Sequence, residues 1–201
     1  GCVLTQGLST GNGRTSFNED IGAWDVSGVT DMSRMFHQTA FNRDIGDWAV
    51  HSVTAMSEMF SGSAFNQDID GWAVHNVRDM GAMFMGSEFN QDISGWAVHS
   101  VTDMSSMFYG QTGFNQDLGW CVDENVYGHI AFSFTPCYPT QCGVTWSSDC
   151  GPRPPQPTRI PTATSPPTTA PTRLCHYKAH AYGGEAFPWG EVTWSERIGG
   201  G

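Results

Sequence analysis

The sequence predicts a solenoid of about five 24-residue coils, each a short parallel strand plus a helical turn, closed by a disulfide-rich C-terminal cap. Three observations carry this expectation. Phe-Asn pairs recur at Phe17-Asn18, Phe41-Asn42, Phe65-Asn66, Phe89-Asn90 and Phe114-Asn115, at intervals of 24, 24, 24 and 25 residues. The 201-residue chain holds 9 Met, 12 Phe and 8 Trp beside only four leucines, Leu4, Leu8, Leu118 and Leu174, an inversion of ordinary globular usage. Four cysteines, Cys121, Cys137, Cys142 and Cys150, then fall within thirty positions.

The coils come first. The full copies read FNEDIGAWDVSGVTDMSRMFHQTA, FNRDIGDWAVHSVTAMSEMFSGSA, FNQDIDGWAVHNVRDMGAMFMGSE and FNQDISGWAVHSVTDMSSMFYGQTG, and a fifth begins FNQDLGW before it diverges. This pattern absorbs eight of the nine methionines, nine of the twelve phenylalanines and five of the eight tryptophans, so repetition explains the odd composition. In the second copy Trp48 and Val50 are two apart, the spacing of a strand, whereas Met56, Met59 and Phe60 have the spacing of one helical turn. Neither piece is stable alone; stacking coils about 4.8 Å apart buries the apolar columns.

Two polar columns are equally regular, Asn18, Asn42, Asn66, Asn90, Asn115 and Asp20, Asp44, Asp68, Asp92, Asp117. Short amides and carboxylates accept backbone N–H groups at turns, and a structural role is expected for them. A calcium ladder is the sharper alternative, but the glycine-rich nonapeptide of calcium-binding coils is absent.

The segment FNQDISGWAVHSVTDMSSMFYG at residues 89–110 resembles the BspA-like surface-protein repeat, a divergent leucine-rich repeat also found in mycoplasma-type lipoproteins. The resemblance covers residues 17–122 and implies a right-handed, leucine-rich-repeat-like solenoid at the cell surface, associated with adhesion or recognition and carrying no catalytic residues. The fifth copy shortens its Ile-to-Trp step to Leu118-Gly119-Trp120, so the regular stack is expected to end there.

The remaining elements follow in chain order. Residues 1–16 form an N-terminal cap in which Cys2 is expected to pair; the Gly1-Cys2 junction also resembles a lipoprotein cleavage site, but the apolar segment that should precede it is missing. Residues 17–120 are the solenoid and 121–150 its Cys-rich cap, where four cysteines allow three pairings. Their spacing does not suit a four-cysteine zinc site. Residues 151–173 hold eight prolines, six threonines and one serine, a linker or O-glycosylated stalk in extended conformation. Residues 174–201 read as the start of a further module, with Cys175 a disulfide candidate and His176 and His180 too few for a metal site.

Charge bears on partners. The net charge is −11, yet residues 17–150 alone hold 17 Asp and Glu against Arg34, Arg43 and Arg78. Nucleic-acid binding needs clustered Lys and Arg and is not expected. No apolar run approaches the roughly 20 residues of a spanning helix, so no transmembrane segment is expected in this chain.

Columns that vary while the stacking columns repeat are candidate contact positions. One runs His37, Ser61, Met85, Tyr109; another runs Ser27, His51, His75, His99, setting three imidazoles on adjacent coils. That His ladder has the chemistry to bind Zn²⁺ or to respond to acid, but duplication of an ordinary turn residue is the preferred explanation and no metal or cofactor is assigned. The leading expectation is a secreted or cell-surface module that binds an extracellular protein or glycan without catalysis. No nucleophile motif, phosphate loop or zinc-hydrolase helix is present. The alternatives are an accessory targeting domain of a larger secreted enzyme, or a solenoid that binds metal, ice or mineral surfaces. Against the ice reading, the column Thr30, Thr54, Arg78, Thr102 is interrupted by arginine.

Overall fold

The structure is a computed structural model that describes residues 16–128, 130–138 and 140–150. The expected cap with Cys2, the Pro/Thr stalk over 151–173 and the segment 174–201 with Cys175 lie outside the described residues.

The backbone bonds to itself one repeat away. Thr54 N–H donates to Thr30 C=O (2.8 Å), Arg78 to Thr54 (2.9 Å) and Thr102 to Arg78 (2.8 Å). Parallel bridges join Asp31 to Ala55, Ala55 to Asp79, Asp79 to Asp103, and Asp103 to Tyr127. From each bridge onward, alternate residues donate to the next coil: Met32 to Ala55, Arg34 to Ser57 and Phe36 to Met59 at 2.9 Å, and Gln38 to Ser61 at 2.7 Å. Successive 24-residue segments are thus stacked in register, with parallel-ladder bonding confined to short stretches.

The residues between those donors close local turns. Met59 N–H returns to Met56 C=O and Ser63 N–H to Phe60 C=O, and the third residues of these turns, Glu58 (φ 54°) and Gly62 (φ 64°), are left-handed. That is the arrangement of consecutive type II turns. The helical turn expected at Met56, Met59 and Phe60 is therefore not formed, and no α-helix occurs among the described residues. The reason is geometric: two type II turns in sequence also bring residues spaced by three and four to the inside, so the spacing alone does not distinguish them from a helix. The strand expected at Trp48 and Val50 is likewise a tight turn, with Val50 N–H bonded to Trp48 C=O (3.1 Å).

Glycine recurs where the second turn needs it. Gly62, Gly86 and Gly110 share one column with φ between 59° and 72°, a region that costs other residues about 1–2 kcal/mol. The first turn uses Arg34, Glu58, Ala82, Ser106 and Ile130 at the equivalent position, all with positive φ.

The core is one continuous set of columns. Phe36, Phe60, Phe84, Phe108 and Phe132 stack with centroids 5.5, 5.7, 5.4 and 5.5 Å apart. Trp72, Trp96 and Trp120 repeat at 6.4 Å. Each tryptophan is buried, and its indole must find an acceptor. Trp48, Trp72, Trp96 and Trp120 donate to the carbonyls of Ile21, Ile45, Ile69 and Ile93 in the preceding coil, at 3.1–3.3 Å. A large aromatic therefore fills the core and ties two coils at once.

Coil-to-coil bonding does not stop at Trp120. Met104 donates to Tyr127, Phe108 to Ala131 and Gly110 to Ser133 (2.7–3.0 Å), so residues 130–134 take the places that residues 106–110 occupy in the previous copy. Ala131 and Phe132 stand in for Met107 and Phe108 in the buried columns. A partial sixth coil follows, in which β1 (Cys121–Val122) pairs in parallel with β2 (Thr145–Trp146). Of the three possible pairings the structure has Cys121–Cys150 and Cys137–Cys142, with Cα atoms 5.4 and 5.0 Å apart. The Cys-rich segment thus carries the last coil-to-coil bonds and is cross-linked by both disulfides. No helix among the described residues is long and apolar enough to cross a membrane.

Candidate functional site

The repeated polar side chains are engaged by the backbone. Asp20, Asp44, Asp68, Asp92 and Asp117 each accept the N–H two residues on, at 2.9–3.2 Å. Asn18, Asn42, Asn66 and Asn90 each accept the N–H of the next asparagine in the column, at 2.9–3.1 Å. Gln67, Gln91 and Gln116 add side-chain bonds to the same asparagine oxygens. These columns hold turns and join coils. Among the described residues no group of three or more His, Cys, Asp or Glu side chains is placed to hold a metal ion.

A polar groove of about 420 Å³ crosses three coils and is lined by Ser52, Thr54, Asn76, Arg78, Ser100 and Thr102. Its walls follow from the local fold. Val53, Val77 and Val101 donate to Val50, Val74 and Val98, closing turns whose third residues are Ser52, Asn76 and Ser100. Two residues later the ladder Thr54, Arg78, Thr102 aligns its side chains on one face. The Thr54 and Thr102 hydroxyls donate to the carbonyls of Thr30 and Arg78 (3.1 Å), which leaves their oxygens as acceptors. Asn76 donates through Nδ2 to His51 C=O (2.7 Å), so its Oδ1 is also an acceptor. Arg78 is exposed, and its guanidinium has no partner among the described residues. The other two arginines of the stack are engaged: Arg34 pairs with Glu58 (2.5 Å) and Arg43 donates to Asn18 C=O (2.8 Å).

His51, His75 and His99 occupy the second positions of the same turns, exposed beside the groove without lining it. They form a column but not a metal-holding group. His37 is half-buried with Nδ1 3.6 Å from Glu58 Oε2. Burial holds its imidazole below the ordinary range; Glu58 opposes that shift and Arg34 adds to it. Met85 and Tyr109 are half-buried in the same column, whereas Ser61 is buried. Tyr109 meets Phe134 edge-on at 5.2 Å. The structure therefore separates the expected contact residues into a His column beside the groove and a His37, Met85, Tyr109 column on another edge of the coil.

Sequence reasoning missed Ser52, Asn76 and Ser100 as a lining. The signal was present: HSVT, HNVR and HSVT differ at two positions in the middle copy only, and both changed residues face the groove. It also missed Ile130, Phe134 and Tyr138, which are 55%, 65% and 60% exposed on the last coils. Phe134 takes the left-handed position that three earlier coils give to glycine.

Residues 8–120, more than half of the chain, match the family described as Mycoplasma protein of unknown function, DUF285. The chain belongs to this family. The DUF285 match ends at Trp120, where the repeat loses its regular spacing, although the coil bonding continues beyond it. No curated protein and no solved structure matches the chain. Membership of the DUF285 family and the two disulfides accord with an extracellular or surface location, where disulfides persist.

Proposed function

We propose that this chain is a non-catalytic interaction module of a secreted or cell-surface protein, a right-handed, leucine-rich-repeat-like solenoid related to the BspA-like repeats, that recognises an extracellular protein or glycan. One observation carries the reading: the polar residues repeated in every coil are engaged in holding turns and joining coils, while the departures from repetition face outward. Repetition in every coil is the mark of a stacking element, whereas catalysis needs one asymmetric constellation in a pocket. The in-register parallel bridges and the stacked Phe and Trp columns support the solenoid, and the two disulfides support an oxidising environment.

The test is a binding screen of the purified full chain against extracellular-matrix proteins, glycans and whole cells. Saturable binding to at least one class is expected. Failure in every class, together with an enzymatic activity in a protein that contains this chain, would instead favour an accessory arm of an enzyme.

A further inference from the structure

The groove at Ser52, Thr54, Asn76, Arg78, Ser100 and Thr102 has a composition that selects among ligands. Its length is two coil spacings, about 10 Å. Its volume of about 420 Å³ suits a small ligand. A stable protein interface covers about 800 Å² per partner, far more than this groove offers. Every residue of the wall has a polar side chain and none carries an aromatic ring, so a sugar bound by ring stacking finds no surface there.

What the groove does offer is one cation amid hydroxyl and amide oxygens. Arg78 projects five N–H donors in a planar fork that matches a carboxylate or a similar oxyanion. Around it, Thr54 and Thr102 have their hydroxyl hydrogens committed to backbone carbonyls, and Asn76 Nδ2 is committed to His51, so these three present acceptors. The Ser52 and Ser100 hydroxyls add donors on either side. An anionic group on a polyhydroxylated frame satisfies both halves of this pattern: the anion meets the guanidinium, and neighbouring ligand hydroxyls donate to the threonine and asparagine oxygens.

We infer that the groove binds an acidic saccharide, its carboxylate or sulfate held by Arg78 and its hydroxyls by Thr54, Asn76 and Thr102. This rests on the interaction-module reading and specifies the ligand class of that module. The surrounding body carries 17 acidic side chains between residues 17 and 150, so recognition of an anion is short-ranged. Raising ionic strength shortens the Debye length from about 30 Å at 0.01 M to about 8 Å at 0.15 M and removes distant repulsion more than it weakens the close pair. Affinity is therefore expected to hold or rise over that interval, opposite to an ion-exchange surface.

The test uses the full chain, isothermal titration and three trisaccharides: one of galacturonic acid, one sulfated and one neutral. The comparison variant is Asn76→Ser with Arg78→Thr, which gives the middle coil the same Ser and Thr as its neighbours and leaves the backbone ladder intact. Wild type is expected to bind one or both acidic probes at least tenfold more tightly than the neutral one, and the carboxylate and sulfate arms identify the anion. The double variant should lose at least tenfold in acidic-probe affinity with an unchanged melting temperature, because the hydroxyl introduced at position 78 donates to Thr54 C=O as the Thr54 and Thr102 hydroxyls do to their preceding coils, offsetting the lost Asn76–His51 bond. No acidic-probe binding by wild type, or equal affinity in the variant, overturns the inference. If wild type then binds a matrix protein, the module reading stands without this groove; if it binds nothing in the wider screen, both fall.

Discussion

His37 shows how one side chain can tie pH to stability. Burial disfavours its charged form, with Glu58 opposing and Arg34 reinforcing, so its pKa in the folded chain lies below the ordinary value of 6.5. The unfolded chain then takes up the proton first as pH falls. Above the ordinary range both states are neutral and His37 contributes nothing; below it, protonation of the unfolded state costs native stability. Thermal unfolding of His37→Gln at pH 8 and pH 5 should show a smaller loss between the two than wild type, and identical slopes would remove His37 from the pH response. The residue was legible as a variable column member. Its burial was not, because that depends on how the Arg34 and Glu58 turns meet across two coils.

At the scale of the element, each coil holds its neighbour through a few recurring ties. Trp96 fills the core and donates through Nε1 to Ile69 C=O at 3.1 Å. Trp96→Phe removes that donor, leaves the carbonyl buried without its indole partner and opens a void beside Trp72 and Trp120, at a cost of about 2–4 kcal/mol. A urea titration measures this directly. The last coils depend on their cross-links. Cys121–Cys150 closes a separation of 29 residues and Cys137–Cys142 only 5, so chain entropy gives the first about 3–4 kcal/mol and the second about 2. Cys121→Ser with Cys150→Ser should therefore lower the urea midpoint more than the corresponding change at Cys137 and Cys142. The period was plain in the sequence because each apolar column must repeat to stack. The turn type was hidden, since Met56, Met59 and Phe60 have one spacing in a helical turn and in consecutive type II turns, and only the left-handed Glu58 and Gly62 distinguish them.

Across the whole molecule the stack reaches further than its motif. The fifth copy loses Met and gains Ala131 beside Phe132, a substitution that preserves an apolar interior while erasing the pattern by which the repeat is read. For the same reason the end of recognisable repetition at Trp120 is not the end of coil bonding, and the cysteines belong to the last turns of the stack. The groove was half legible: Arg78 stood out as an interruption of the threonine column, but that it and Asn76 line one groove needed three dimensions.

The central claim is that repeated polar residues hold the stack while the unrepeated ones facing outward bind. One paired measurement tests it: affinity for the acidic trisaccharide and melting temperature, recorded together for Asn66→Ala and for the Asn76→Ser, Arg78→Thr double variant. Asn66 accepts from the Asn90 backbone and the Gln91 side chain, so its loss should cost about 1–2 kcal/mol of stability and leave affinity unchanged. The groove variant should lose at least tenfold in affinity at an unchanged melting temperature. The reverse pairing, with binding lost at Asn66 and stability lost at the groove, would contradict the account.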